Sequence, residues 1–480
     1  MSLCTHNVTK KLDQIKSKKS SKPVLKRKEV IEELAELHNK YVFVPTDKAS
    51  CNITIICKYY YMRILKEELA SPTYSNVAES EADLVSQHTT DLVGGNITVN
   101  EEDKKVPHIY WTSKQHKSPP SERFIVSGVH CSTKTLSKKL SCIFKLVQKT
   151  LKNYCNYRCK FMNTASFWII NSPDKVHQHL AYINHKNSAR SIYTYDFSKL
   201  YTNIPHDLLL CKIKMILDKV ISIYPDKKYV KITSNGAYWS KTKGINTSKT
   251  TYWDFEEIFK WFEYLINNIY IKFDGKIYKQ IIGLPMGTDC APDLANLFLF
   301  SYEFTFVEDM IAENDENLSK LKYCSRYIDD LLALNDGGFF DKMFETIYPS
   351  ELQLNNTNIS NKESNYLDMN ISIDSSNKFE YKLYDKRQDF SFKVVSLPNL
   401  ASNIPVSAAY SVFYSQIIRI FYANNNIEHF YTSVVALIKK LCSQNFERNK
   451  LIYQIHKFNR NFYPKIIFKF WTVLDLGVFR

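Results

Sequence analysis

This chain is poor in glycine, with 11 in 480 residues against a usual share of roughly 7%. That scarcity excludes collagen-like and glycine-rich low-complexity classes, and it makes any clustering of the glycines informative. No run of 18 apolar residues occurs, so no transmembrane helix is predicted and no membrane partner is expected. The first residues, MSLCTHNVTKK, lack an apolar signal core, and an intracellular, nuclear location is expected. The eleven cysteines are scattered and odd in number, which argues against a disulfide framework. Cys155 and Cys159 have metal-like spacing, but no second pair matches them and zinc is not expected. What the chain has in surplus is positive charge: 64 Lys and Arg against 49 Asp and Glu, a net +15. Such a balance suits a protein that tracks a polyanion, and the length allows roughly two to four folding units.

Residues 321–334, LKYCSRYIDDLLAL, carry the strongest chemical signal. Asp329 and Asp330 interrupt an apolar, strand-like run, with Tyr327 and Ile328 before them and Leu331 and Leu332 after. Adjacent carboxylates in such company are costly unless a cation neutralises them. A strand, a tight Asp-Asp turn and a returning strand would hold both acids at a hairpin tip where Mg²⁺ could bind; the competing reading is ordinary turn chemistry. A third acid comes from SIYTYDFSKLYTNIPHDLLL (191–210), read as a short strand, Ile192 to Tyr195, ending at Asp196. A turn around Asn203-Ile204-Pro205 and a helix from Leu208 follow. One strand-terminal Asp and a hairpin pair is the arrangement a two-metal phosphoryl-transfer site needs.

Between these acids lies IIGLPMGTDCAPDLANLFLF (281–300). Gly283-Leu284-Pro285-Met286-Gly287 precedes a helix pattern that begins at Ala291, and glycines so placed allow backbone to approach a base or phosphate. Gly275, Gly283, Gly287, Gly337 and Gly338 all fall in this central region.

The ordered set DFSKLYTNIP, GLPMGTDCAPDLANLF and SRYIDD resembles the reverse transcriptases of the Penelope-like retroelement group. Further blocks are similar in the same order. They are YVFVPTDKA (41–49), HIYWTSKQHKSPPSERFIVSG (108–128), NYLDMNISI (365–373) and YSQIIRI (414–420), so the resemblance spans about residues 40–460. It implies an α+β right-hand polymerase with fingers, a palm of antiparallel sheet with helices, and a helical thumb. It implies metal ligation by Asp196, Asp329 and Asp330, the last less directly, with the Phe197 carbonyl completing one shell. The cofactor would be Mg²⁺, with Mn²⁺ as a substitute. Arg123 and either Lys114 or Lys117 would contact the triphosphate. Tyr201 would lie beneath the incoming sugar and reject a 2′-hydroxyl, and Met286 and Gly287 would line the nucleotide pocket. Met286 replaces a Gln common in retroviral-type enzymes. Tyr327, Gly283, Pro285 and Arg419 would meet primer and template. The partners implied are an RNA template, a DNA primer, their duplex and deoxynucleoside triphosphates. The short block reads Asp47-Lys48-Ala49 where the family carries Asp-Lys-Gly, which leaves the role of that block open.

On this reading residues 1–29 form a basic tail, disordered over 10–28. Residues 30–104 form an N-terminal extension opening with a helix at VIEELAEL (30–37), and 72–105 are loop-rich. The fingers would occupy 105–190, with Lys114, Lys117 and Arg123 on a hairpin around Pro119-Pro120, then an amphipathic helix over 129–147. The palm would occupy 191–395. It includes a helix at 253–266, with Asp254 and Glu257 at capping-box spacing, and a hairpin turning at Asp274-Gly275. The thumb, 396–480, would hold two or three helices with a basic face. Many members of the group carry a GIY-YIG endonuclease beyond the thumb; none follows residue 460, so an endonuclease-lacking or truncated member is expected. Two rival functions stand beside RNA-directed DNA synthesis. One is a catalytically silent, nucleic-acid-binding remnant or domesticated element. The other is a two-metal nuclease, which does not account for the glycine block, Tyr201 or the basic hairpin.

Overall fold

The computed structural model describes residues 28–470 apart from Ser248, Pro398 and 401–404. All of the basic stretch 10–28 except Lys28 thus lies outside the described residues. The chain runs α1 (Lys28–Lys40), a hairpin of β1 (Tyr41–Thr46) and β2 (Ala49–Cys57), α2 (Lys58–Leu69), β3 (Tyr74–Val77) and α3 (Glu81–Gly94). A second hairpin, β4 (Ile109–Lys114) and β5 (Ser121–Val126), is followed by the helices α4 (Lys134–Cys159) and α5 (Asp174–His185). Next come β6 (Ile192–Ser198), a one-turn α6 (Leu200–Asn203), α7 (His206–Ile223), and a three-stranded insert of β7 (Tyr229–Thr233), β8 (Gly236–Ser240) and β9 (Thr250–Asp254). Then α8 (Phe255–Asn267), β10 (Tyr270–Phe273) and β11 (Lys276–Gln280) lead to α9 (Ala291–Ala312). The later part holds β12 (Cys324–Tyr327), β13 (Asp330–Leu334), α10 (Phe339–Ile347), β14 (Gln353–Asn356), β15 (Glu363–Tyr366), β16 (Met369–Ile373) and β17 (Phe379–Leu383). Three helices, α11 (Val406–Tyr422), α12 (Ile427–Cys442) and α13 (Arg448–Phe470), complete it.

Strand pairing within every sheet is antiparallel, which makes the fold α+β, as expected. Local sequence explains the best-defined elements. Asp254 accepts from the Glu257 amide at 2.8 Å while Glu257 accepts from the Asp254 amide at 3.0 Å, a reciprocal cap that starts α8. Asp274 and Gly275 take φ values of 50° and 75°, the left-handed pair that a two-residue hairpin requires. The amphipathic helix expected over 129–147 instead runs from Lys134 to Cys159.

The central sheet has the order β12-β13-β6-β14. Beneath it lies a large core built from α4, α7, α8 and α9. Buried residues occupy every side of α9, from Leu294 to Met310, so this helix is a core element rather than an amphipathic cover. The helices α11 to α13 close a separate core around Phe413, Phe421, Phe430 and Phe458. Sheet topology also joins distant segments: β3 pairs with β11, so residues 74–77 complete the sheet of the 270–280 hairpin.

Candidate active site

Antiparallel pairing of β6 with β13 sets Asp330 directly opposite Asp196. Side chains of paired residues project from the same face of a sheet, so the two carboxylates share one surface. On the other side of Asp196, its partner in β14 is Asn355. The strand does not end at Asp196 as the sequence suggested; β6 continues to Ser198 because β14 pairs with its last residues. The turn also differs by one residue from the expected Asp-Asp turn. Ile328 and Asp329 form it, and Asp330 is already the first residue of β13. Asp329 is nevertheless held against β6, since its carbonyl accepts from the Phe197 amide at 3.1 Å. The Phe197 ring is buried on the opposite face, edge-on to Tyr348.

Ile328 has φ +57°, a left-handed conformation that a β-branched residue adopts only under constraint. The constraint is visible. Arg326, fully buried one residue before Tyr327, gives one N–H of its guanidinium to the Ile328 carbonyl at 2.9 Å. The same guanidinium forms a two-point pair with Glu303 of α9 and donates to Asn296 at 2.9 Å. Tyr348 supplies Glu303 with a further hydrogen bond at 2.9 Å. The hairpin tip is therefore anchored to the core helix by a satisfied, buried ionic network. Tyr366 adds its hydroxyl, donated to the Asp330 and Ser325 carbonyls at 3.4 and 3.3 Å.

The electrostatics of this surface are those of crowded acids among cations. Burial and then Asp329 raise the Asp196 carboxyl, against Lys117, Lys386 and Lys48, which lower it. Burial pushes Asp330 up to about 6; Lys386 and Lys48 oppose the rise, while Asp329 and Asp196 add to it. Lys114 is lowered by burial and then by Arg123 and Lys117, and Asp196 is near enough to act on it. The basic hairpin β4–β5 thus stands close to the acids. Arg123 is tied to the buried Asp47 at 3.2 Å, and the second Asp47 oxygen has no hydrogen-bond partner. The left-handed residue in the turn between β1 and β2 is Lys48 (φ +58°) and not Ala49, so the position of Ala49 demands no glycine conformation.

The donor set fits a divalent cation in kind: buried carboxylates whose mutual repulsion and desolvation a cation would relieve. Among the described residues, however, no three His, Cys, Asp or Glu side chains are gathered closely enough to hold a metal ion. The same holds for Cys155 and Cys159, whose surroundings offer a Ser166 hydroxyl at 3.3 Å from Cys159.

The remaining predicted positions fall into three sets. Tyr201 is half-buried and feels Asp329, and Tyr327 is exposed at the hairpin. In the glycine block, Met286 is half-buried and Gly287 exposed, whereas Gly283 and Pro285 are buried. The glycines here approach the chain's own backbone. A Cβ on Gly283 would lie 2.5 Å from the Tyr201 carbonyl, and one on Gly287 would strike the Val126 carbonyl. The Val126 amide in turn donates to the Met286 carbonyl at 3.0 Å. The block is a splice joining α6, the basic hairpin and α9. Arg419, on α11, is bound to Asp368 at 3.0 Å in the turn between β15 and β16 and remains half-exposed. Sequence reasoning did not select Arg326, Glu303 or Lys386. The one available signal was Arg326 itself, a charged residue inside an apolar strand run; Lys386 lies in no recognisable motif.

No protein-family model and no curated protein matches this sequence. Similarity appears at the level of fold. Telomerase from Candida albicans, solved with a TWJ fragment of telomeric RNA, aligns with a TM-score of 0.61 and 10% identity, over 92% of this chain and 70% of that one. Apo telomerase from Candida tropicalis aligns over 92% of this chain and 67% of its own, at 11% identity and a TM-score of 0.49. The RNA-dependent RNA polymerase of BmCPV at its elongation state covers 78% of this chain and 32% of its own, at 10% identity and a TM-score of 0.39. The first likeness shows that this chain shares the fold of that telomerase.

Proposed function

We propose that this chain is an RNA-directed DNA polymerase of the Penelope-like retroelement group, acting inside the cell and in the nucleus. The observation that carries the proposal is the cross-strand pairing of Asp196 with Asp330, with Asp329 in the adjoining turn and a lysine-rich hairpin nearby. In this reading β6 and the β12–β13 hairpin belong to a palm, β4–β5 to fingers, and α11 to α13 to a thumb.

Asp196, Asp329, Asp330 and the Phe197 carbonyl would hold Mg²⁺, or Mn²⁺ in its place. When bound, such ions lower the pKa of an attacking hydroxyl and stabilise a departing pyrophosphate. The protein's own contribution is positional. Arg123, oriented by Asp47, and Lys114 or Lys117 bind and orient the triphosphate of a deoxynucleotide. Tyr201 sits where its ring would exclude a 2′-hydroxyl, and Met286 with Gly287 borders the base. Tyr327 supports the primer end, and Arg419 contacts the duplex at the edge of its Asp368 pair. Its partners would be an RNA template, a DNA primer and their duplex.

A second reading, a silent nucleic-acid-binding remnant, keeps the basic hairpin of Lys114, Lys117 and Arg123 for binding and gives the acids no catalytic role. Primer extension on poly(rA)·oligo(dT) with Mg²⁺ or Mn²⁺ separates the two. Extension by the protein that is lost in Asp329→Asn is the expected result. No extension, with RNA binding retained, would replace the polymerase by the remnant.

A further inference from the structure

A groove of about 910 Å³ lies between α4, the segment after α3 and the β7–β9 insert. It is lined by Lys138, Lys139 and Lys145 of α4 and by Lys249 on the approach to β9, against a single acid among the described residues, Asp289. That acid is already engaged, since Lys134 pairs with it at 2.9 Å. Lys138, Lys145 and Lys249 are exposed and make no ion pair within 4 Å among the described residues. Lys139 donates to the Thr251 hydroxyl at 2.5 Å, which keeps its ammonium at the groove wall. Most of the other lining is hydroxyl and amide, including Thr135, Ser234, Asn246 and Thr247.

These features define the ligand by elimination. A cationic trough with almost no opposing acid concentrates a polyanion. Among the described residues no aromatic side chain lines it, so it offers no stacking platform for bases and would read a sugar–phosphate backbone without sequence preference. Asp289, on its lining, is two residues beyond Gly287, so the groove adjoins the glycine block. We propose that this groove is a second nucleic-acid site, which carries an unpaired strand towards or away from the Asp196–Asp330 surface. The strand's identity as template rests on the polymerase reading; the binding itself does not.

The test is equilibrium binding of a single-stranded RNA oligonucleotide to the full chain across a range of salt concentrations, which needs no catalysis. The variant is Lys138→Ala/Lys145→Ala/Lys249→Ala. A charge-matched control removes the exposed Lys160, Lys342 and Lys378, none of which lines the groove. Each lost phosphate contact should reduce the slope of log affinity against log salt by about 0.7 for a single strand. The expected result is therefore a slope shallower by about two in the groove variant than in the control. A groove variant whose slope and affinity match the control overturns the proposal and leaves the face for some other partner, such as an acidic protein segment. Replacing the same three lysines by Arg should retain the slope; a loss there too would mean the groove variant had failed through misfolding of α4 rather than through charge. A chain that binds with the expected slope but extends no primer would remove the polymerase reading and keep the groove.

Discussion

Asp196 and Asp330 lie opposite each other on neighbouring antiparallel strands, so a single sheet face carries two carboxylates contributed by distant parts of the chain. The burial of this surface has a thermodynamic consequence. The Asp330 carboxyl is pushed up to about 6, by burial first, which corresponds to about 3 kcal/mol against its charged form. Because the folded value exceeds the unfolded one, folding takes up a proton between about pH 4 and 6, and stability falls as pH rises through that window. Asp330→Asn should therefore be more stable than the parent at pH 8, by up to about 3 kcal/mol. The two proteins should converge below pH 4. Urea unfolding with a chelator present measures this; equal stability at pH 8 would show that Asp330 carries no such penalty.

The hairpin tip should depend on the buried Arg326–Glu303 pair. Arg326→Leu leaves Glu303 charged and uncompensated beneath the sheet, and breaking such a pair costs about 3–5 kcal/mol. The same change frees the Ile328 carbonyl from its 2.9 Å bond, so the left-handed turn should relax. Chemical denaturation gives the energy, and a loss below about 1 kcal/mol would be too small for a buried pair of this kind.

Two glycines with positive φ should respond differently to alanine. Gly275 has φ +75° but open space around its Cβ position, so Gly275→Ala should cost only about 1–2 kcal/mol. Gly283→Ala places a methyl 2.5 Å from the Tyr201 carbonyl and 2.7 Å from the Thr202 Cα, against backbone that cannot swing aside. It should cost clearly more and shift α6. Comparing the midpoints of thermal unfolding decides the matter.

Arg123 should lose its fixed orientation when Asp47 is replaced. In Asp47→Asn the 3.2 Å ion pair is gone, and under the proposed polymerase function the guanidinium must be ordered by the nucleotide instead. Ordering one long side chain costs about 0.5–1.5 kcal/mol, so KM for the deoxynucleotide should rise roughly two- to tenfold with little change in kcat. Steady-state extension kinetics provide the measurement, and an unchanged KM would separate Arg123 from the triphosphate.

Local features were the ones the sequence disclosed well. The cap of Asp254 with Glu257 and the turn at Asp274-Gly275 depend on residues a few positions apart, and both occur as read. The apolar run with its two acids is a hairpin, although the turn falls one residue earlier because Ile328 is forced into it. The glycine block has a duty that its spacing does not disclose: Gly283 and Gly287 make room for the backbone of Tyr201 and Val126. Spacing in a sequence shows that backbone must come close there; it does not show what it comes close to.

The sequence by itself determined the composition of this site: three aspartates, a basic hairpin and a glycine block, each within a short segment whose local preference is plain. Tertiary structure alone decided that β6 pairs with β13, so that Asp196 meets Asp330, and that Lys48 and Lys386 stand near enough to moderate both acids. It also decided that Arg326 is an internal anchor instead of a surface cation. The reason is physical. Capping and turn formation act within a few residues, but the burial of a charge, the register of a strand and the field at a carboxylate depend on segments brought together only when the core closes.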